Sequence, residues 1–262
     1  MIFHHDISSI LVSLGPVEIR WYGLCYALGL SLAYGTAYLI FKKQKYPIAH
    51  LDSLSIYIFV GMLLGARLGH VFFYEAAYYL GHPVEILKVW KGGLASHGGA
   101  IGVLLAYYTW CKVHKVKFSK YTDAIVIGIP ILAGLIRIGN FFNSEIVGTK
   151  TDGSFGVVFE KLGESFPRHP VQIYSALISW STFVILLVLY KKYYKKTPPL
   201  FFMFLYLLLY FSGRFVVEYW KDLHGPLEQL PIAMGQLLSL PGIIIALSYF
   251  IFFAKKLGKR SA

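Results

Sequence analysis

Seven apolar stretches divide this chain, each close to the length that crosses a membrane, and the polar segments between them carry most of the charge. A helix needs about 20 apolar residues to span the hydrocarbon core. The stretches predict helices at 21–41, 53–74, 97–111, 123–142, 171–190, 200–220 and 235–254. Little of the 262 residues is left for a soluble domain, and 56% hydrophobic against 15% charged residues is the balance of a membrane-embedded chain. The expectation is an all-α integral membrane protein with seven transmembrane helices, forming one polytopic domain over 1–262. Residues 1–20 form an outer-side segment, and outer loops fall near 75–96, 143–170 and 221–234. The first twenty residues lack a basic n-region, so they read as a surface or interfacial segment rather than a cleavable leader. Span 97–111 is short, which allows a start within the outer half of the bilayer or a flanking re-entrant segment.

The net charge of +12 matters through its placement. Fifteen of the 25 basic residues fall in four clusters: Lys42, Lys43 and Lys45; Lys112, Lys115, Lys117 and Lys120; Lys191, Lys192, Lys195 and Lys196; Lys255, Lys256, Lys259 and Arg260. Nucleic-acid binding is the rival reading of such a charge. Clusters separated by apolar spans instead follow the positive-inside rule, which puts the N-terminus outside and the C-terminus in the cytoplasm. Cys25 and Cys111 sit in apolar runs and read as small hydrophobic side chains. Neither they nor the nine His have metal-ligand spacing, so no metal and no cofactor is expected. Asp52 and Asp123 precede apolar runs and read as helix N-caps.

The fourth apolar run ends abnormally. Residues 124–136 are uncharged, and then the chain reads Arg137-Ile-Gly-Asn-Phe-Phe-Asn-Ser-Glu-Ile-Val-Gly148. Ionisable residues inside a membrane are costly and mark functional sites by default. Arg137 is one of several. Asp52 to Arg67 is 15 residues, Asp123 to Arg137 is 14, Pro199 to Arg214 is 15, and His97 to Lys112 is 15. At 1.5 Å per residue each polar position lies roughly 21–23 Å from the inner boundary. That predicts a polar layer in the outer half of the bilayer, contributed by four helices. Glu218, four residues after Arg214, and Glu145, just beyond Asn140 and Asn143, are the carboxylates at hand. Three Arg against two Glu leave a positive surplus suited to an anionic lipid head group, because the Arg fork matches phosphate.

Further polar positions border the spans. Ser96-His97-Gly98-Gly99 starts the third, with His97 a base candidate or a hydrogen-bonding organiser. Trp21-Tyr22-Gly23 fits an aromatic belt, and Tyr210 stands one turn before Arg214. Arg168-His-Pro170 opens the fifth span and Met234-Gly-Gln236 the seventh. No nucleotide loop or serine-hydrolase elbow is present. These residues by themselves allow an enzyme acting on lipid or a transporter of anionic solute or lipid that uses the same Arg layer.

The motifs resemble the prolipoprotein diacylglyceryl transferase family nearly end to end. The resemblance is carried by Trp21-Tyr22-Gly23, Gly65-Ala-Arg67-Leu-Gly69, His97-Gly98-Gly99, Arg137 to Gly148, Arg168-His-Pro170 with Gln172 and Tyr174, Tyr210, Gly213-Arg214, Glu218, and Met234-Gly-Gln236. It implies seven helices, an outward N-terminus and residence in the bacterial cytoplasmic (inner) membrane. It implies two substrates, phosphatidylglycerol and preprolipoprotein signal peptides with a lipobox. The diacylglyceryl group moves to the lipobox cysteine thiol, giving a thioether and glycerol 1-phosphate. His97, Arg137, Arg214 and Glu145 are implied as catalytic. Arg137, Asn140, Tyr22, Tyr210, Arg67, Glu218 and Gly98 are implied as substrate-binding. Two positions depart from the family pattern: Ile136 stands where Gly often precedes the signature Arg, and Ser175 where Glu usually follows Gln172-Ile-Tyr174.

Overall fold

A computed structural model describes residues 1–222 and 232–258. Most of the expected outer loop 221–234, with Gly225 and Pro226, lies outside the described residues, as do Lys259 and Arg260. In chain order the elements are β1 (Ile2–His5), β2 (Ile10–Leu14), β3 (Val17–Arg20), α1 (Trp21–Gln44), α2 (Ile48–Phe73), α3 (Ala76–Gly81), α4 (Ser96–Val113), α5 (Ser119–Val126), α6 (Ile129–Phe142), β4 (Gly156–Phe159), α7 (Val171–Tyr193), α8 (Phe201–Val217) and α9 (Met234–Gly258). The chain divides into two compact units, Met1–Thr36 with Asp123–Ala262, and Ala37–Thr122.

The protein is mostly helical. Among the described residues five helical segments are long and apolar enough to cross a membrane: Trp21–Gln44, Ile48–Phe73, Val171–Lys196, Phe201–Trp220 and Met234–Phe253. A sixth arises if α5 and α6, bent by 41° at their junction, count as one. The sequence suggests one continuous helix over 123–142. The break has a local cause: Pro130 lacks the N–H a helix interior needs but suits a first turn. At the same junction Gly128 lies against the backbone of α1, where a Cβ would sit 2.7 Å from Ala33 O. The short strands, absent from an all-α expectation, lie between and before the spans.

Within Ala37–Thr122, α2 and α4 form an antiparallel pair with their glycines in the seam. A Cβ on Gly65 would collide with Gly98 O and lie 2.8 Å from Gly102 Cα, and one on Gly69 would lie 2.8 Å from Gly98 Cα. Gly61, Gly65 and Gly69 thus face Gly98 and Gly102, the small-residue spacing by which helices approach closely in lipid. Trp110 closes the far end, donating to Ser53 Oγ at 2.6 Å and stacking on His114.

In the other unit α1 runs antiparallel to α6, with Tyr22 against Gly139 and Gly29 against Leu132. α7 packs on α6, α8 on α7, and α9 on α8. Asp123 does not cap its own helix. It lies inside α5, and its carboxylate accepts the N–H groups of Leu200 (2.9 Å) and Met203 (3.0 Å), so it caps α8 across 77 residues. Asp52 likewise lies inside α2, which begins five residues earlier than the apolar run suggests. Outside the spans β1 pairs in parallel with β4, Ile2 opposite Gly156 through His5 opposite Phe159. β2 and β3 form an antiparallel hairpin directly ahead of α1. Apolar side chains such as Ile56, Phe59, Val184, Ile245 and Phe252 point outward from the helices, as lipid-facing residues do.

Candidate active site

The end of α6 builds a cluster around Glu145. Asn140 Nδ2 donates to Glu145 Oε2 at 2.9 Å and Asn143 Nδ2 to Oε1 at 3.1 Å. Gln172, from the first turn of α7, donates to the Glu145 carbonyl at 2.7 Å. Three amides thus converge on one residue and set its place. Ser144 and Ile146 flank it at φ 56° and 55°, a left-handed backbone that non-glycine residues adopt rarely and that concentrates at functional sites. Each amide spends its N–H on Glu145, so Asn140 Oδ1, Asn143 Oδ1 and Gln172 Oε1 are buried with no donor among the described residues.

Arg137 stands one turn before Asn140 on α6. Neither Arg137 nor Arg214 on α8 has a side-chain hydrogen bond or ion pair among the described residues, and both are half-buried. Tyr22 lies within electrostatic reach of both Glu145 and Arg137, and Gly139 permits that approach: a Cβ there would meet Tyr22 at 2.9 Å. Tyr210 stacks on Tyr206 within α8. Glu218 does not pair with Arg214 as the i,i+4 spacing suggests. α8 ends at Val217, and the buried Glu218 carboxylate instead takes Lys221 Nζ at 3.1 Å, in space that Gly235 leaves by having no side chain. Arg214 therefore has no carboxylate partner among the described residues.

The segment beyond Glu145 is stitched by Arg168. Its guanidinium binds both oxygens of Glu164 (2.5 and 2.6 Å), Asp222 (2.5 Å) and the Gly148 carbonyl (2.9 Å). Hydrogen bonding to Glu164 above all holds it more firmly protonated than an ordinary guanidinium. Crowding alone requires Gly148: a Cβ there would lie 2.7 Å from Trp220 O and collide with His169 O. β1 adds His5, fully buried and edge-on to Phe141 at 4.6 Å, with neither ring nitrogen partnered. Burial holds that imidazole below its ordinary value. The sequence analysis passed over His5; only its pairing with a strand some 150 residues away reveals the contact.

The unit Ala37–Thr122 holds the remaining expected residues. Arg67 is 3% exposed, and its donors are all taken by main-chain carbonyls. Nε meets Ile86 O (2.9 Å); Nη1 meets Gly92 O (2.6 Å) and Gly93 O (3.1 Å); Nη2 meets Glu85 O (2.5 Å) and Lys88 O (3.5 Å). Its donors are committed to the loop that follows α2. Gly98 lies in the α2–α4 seam, a packing position that the sequence analysis missed; the four-residue glycine spacing was the available signal. His97, in the first turn of α4, is exposed, with no protein partner for its ring among the described residues. Ser175 turns its hydroxyl onto Val171 O of its own helix at 2.8 Å.

The chain is thus a multi-pass helical membrane protein with two arginines that have no ion-pair partner among the described residues and an amide-held carboxylate. Comparison with known proteins narrows the class. The family model for prolipoprotein diacylglyceryl transferase matches residues 9–252. Relatives named phosphatidylglycerol–prolipoprotein diacylglyceryl transferase include one from Tolumonas auensis, 43% identical over 253 residues (96% of this chain, 97% of the relative). One from Chloroherpeton thalassium is 40% identical over 242 residues (92% and 90%), and one from Bacteroides fragilis 38% over 259 residues (94% and 93%). The chain belongs to the prolipoprotein diacylglyceryl transferase family.

Proposed function

We propose that this protein transfers the diacylglyceryl group of phosphatidylglycerol to the thiol of a lipobox cysteine in a preprolipoprotein signal peptide. The sulfur forms a bond to the glycerol carbon that carries the phosphate. The carbon–oxygen bond to phosphate breaks, and glycerol 1-phosphate leaves with that electron pair. The thiol proton passes to a base and on to solvent. The observation that carries this reading is the pair of guanidiniums, Arg137 and Arg214, that have no ion-pair partner among the described residues, in a chain of this family. Negative charge grows on the departing phosphate, and preorganised donors aimed at growing charge lower a barrier most.

Arg137 binds the lipid phosphate, and Arg214 stabilises it as it leaves. Asn140 and Glu145 organise the mouth of the site, with Tyr22 and Tyr210 lining it and Glu218 supporting α8 beside Arg214. His97 either removes the thiol proton or orders the nucleophile by a hydrogen bond, with Gly98 holding α4 close to α2. The thiolate is the reactive form, and an ordinary cysteine titrates near 8.5, so a base or a positive field favours it. The chain crosses the bacterial inner membrane seven times, α4 included, with the N-terminus outside and the site in the outer-leaflet half. The basic clusters and the intimate packing of α4 along α2 support that topology.

Purified protein, phosphatidylglycerol and a lipobox peptide test the reading. Thioether product and released glycerol phosphate are expected, both lost in Arg137→Ala. A folded protein that binds the lipid yet leaves the peptide unmodified would overturn it.

A further inference from the structure

The segment between α2 and α4 combines features that do not suit a loop in water. Arg67 fixes its backbone at Glu85, Ile86, Lys88, Gly92 and Gly93. Its outer surface is nevertheless apolar: Leu80, Val84, Leu87 and Trp90 are 80%, 67%, 74% and 77% exposed. The ion pair it presents, Glu85 with Lys88, is internally neutralised.

Its depth can be read from α2. The helix runs to Phe73, but the returning chain does not stay at that end. Ala95 N–H donates to Ala66 O at 2.9 Å, and the Arg67 guanidinium holds residues 85–93. Ala66 lies seven residues before Phe73, so the chain returns about 10 Å back along α2. The glycine seam gives the same placement, because Gly98 in the first turn of α4 packs against Gly65 and Gly69 rather than beyond the helix end.

We infer that residues 80–94 form a re-entrant strap that dips into the lipid beside α2, with Leu80, Val84, Leu87 and Trp90 in contact with the bilayer and Arg67 as its inner anchor. The strap holds only two short 3-10 turns, Pro83–Leu87 and Val89–Lys91, and backbone without a regular spanning helix survives at membrane depth only where its polar groups are satisfied by protein. Arg67 does this for five carbonyls at once, which gives a buried cation in the outer part of a span a physical purpose. Trp90 beside aliphatic side chains also suits the headgroup boundary, where an amphipathic ring is favoured. The occupant of this apolar face is therefore the lipid surface, because both ends of the strap are tied to helix ends and its middle is drawn inward along a spanning helix. This holds whichever reaction the protein performs.

The full chain is reconstituted in vesicles of phosphatidylethanolamine and phosphatidylglycerol, with Cys25 and Cys111 replaced by Ala. A nitroxide is attached at Leu87→Cys, and its collision rates with oxygen and with a water-soluble nickel chelate are compared. Ile56→Cys, outward on α2, is the lipid reference, and Lys161→Cys, in an exposed turn, is the water reference. The oxygen-to-nickel ratio at Leu87 is expected to match Ile56 and to exceed Lys161 several-fold. A Leu87 ratio equal to that of Lys161 overturns the inference. Adding Arg67→Ala is expected to move the Leu87 ratio towards the water reference, and an unchanged ratio overturns the anchoring role. If Arg67→Ala does not fold, the Leu87 ratio in the otherwise native chain decides the question.

Discussion

Arg67 and Arg137 sit in nearly identical sequence settings and end in opposite states. Each follows an aspartate by 14 or 15 residues, and each is followed two residues later by a glycine. Both glycines bring a neighbouring backbone close, Gly69 to Gly98 and Gly139 to Tyr22. What differs is the chain beyond. After α2 the backbone turns back and offers five carbonyls to Arg67. After α6 the amides of Asn140 and Asn143 converge on Glu145, and Arg137 has no hydrogen-bond or ion-pair partner among the described residues. Whether an arginine in a membrane helix is tied into the fold or left available thus depends on where the following loop puts its acceptors. The pair Arg168 and Arg214 repeats the contrast: the first holds two carboxylates and a carbonyl, the second none among the described residues.

Substitution should separate the two kinds. Arg137→Ala or Arg214→Ala is expected to lower the transfer rate by about 10²–10³-fold, the usual cost of one preorganised donor to growing charge. Thermal stability should hardly change. Arg67→Ala should do the reverse. Removing the one side chain that ties these main-chain carbonyls to α2 should cost about 3 kcal/mol, seen as a lower unfolding temperature and faster proteolysis between residues 82 and 93. A catalytic collapse in Arg67→Ala at undiminished stability would break the contrast.

Two smaller effects sharpen it. His5 is neutral in its apolar niche, so its folded value lies below the unfolded one near 6.5. The β1 contact is therefore fully stabilising above that pH and weakens as pH falls below it, because the unfolded chain then binds the extra proton. Protease protection of the N-terminal strand should fade below about pH 6.5, and His5→Leu should remove the dependence. The smallest effect concerns Ser175. Its hydroxyl is already satisfied on its own helix, so Ser175→Glu should leave the transfer rate nearly unchanged; a large gain would make this position part of the site.

Much of the helical framework was legible because apolar length is a local property. Helix starts were less so: α2 begins before its apolar run, and Pro130 with Gly128 divides the fourth span. The four strands were missed. They have four or five residues each, and β1 finds its partner β4 some 150 residues away. The Arg137–Gly148 segment announced itself by charge at the end of an apolar run, yet nothing in it said that three amides would be spent on Glu145.

By itself the sequence determined that the chain is a helical membrane protein, where most of its spans lie and which polar residues lie near their ends. Apolar length and charge placement carry that information without any long-range contact. Only the tertiary structure decided which charges are used up. Asp123 caps a helix 77 residues away, Arg67 is consumed by its loop, and Arg137 and Arg214 are left unpaired among the described residues. The physical reason is that a buried polar group takes the nearest geometrically suitable partner, and that partner is chosen by the path of the backbone rather than by neighbours in sequence.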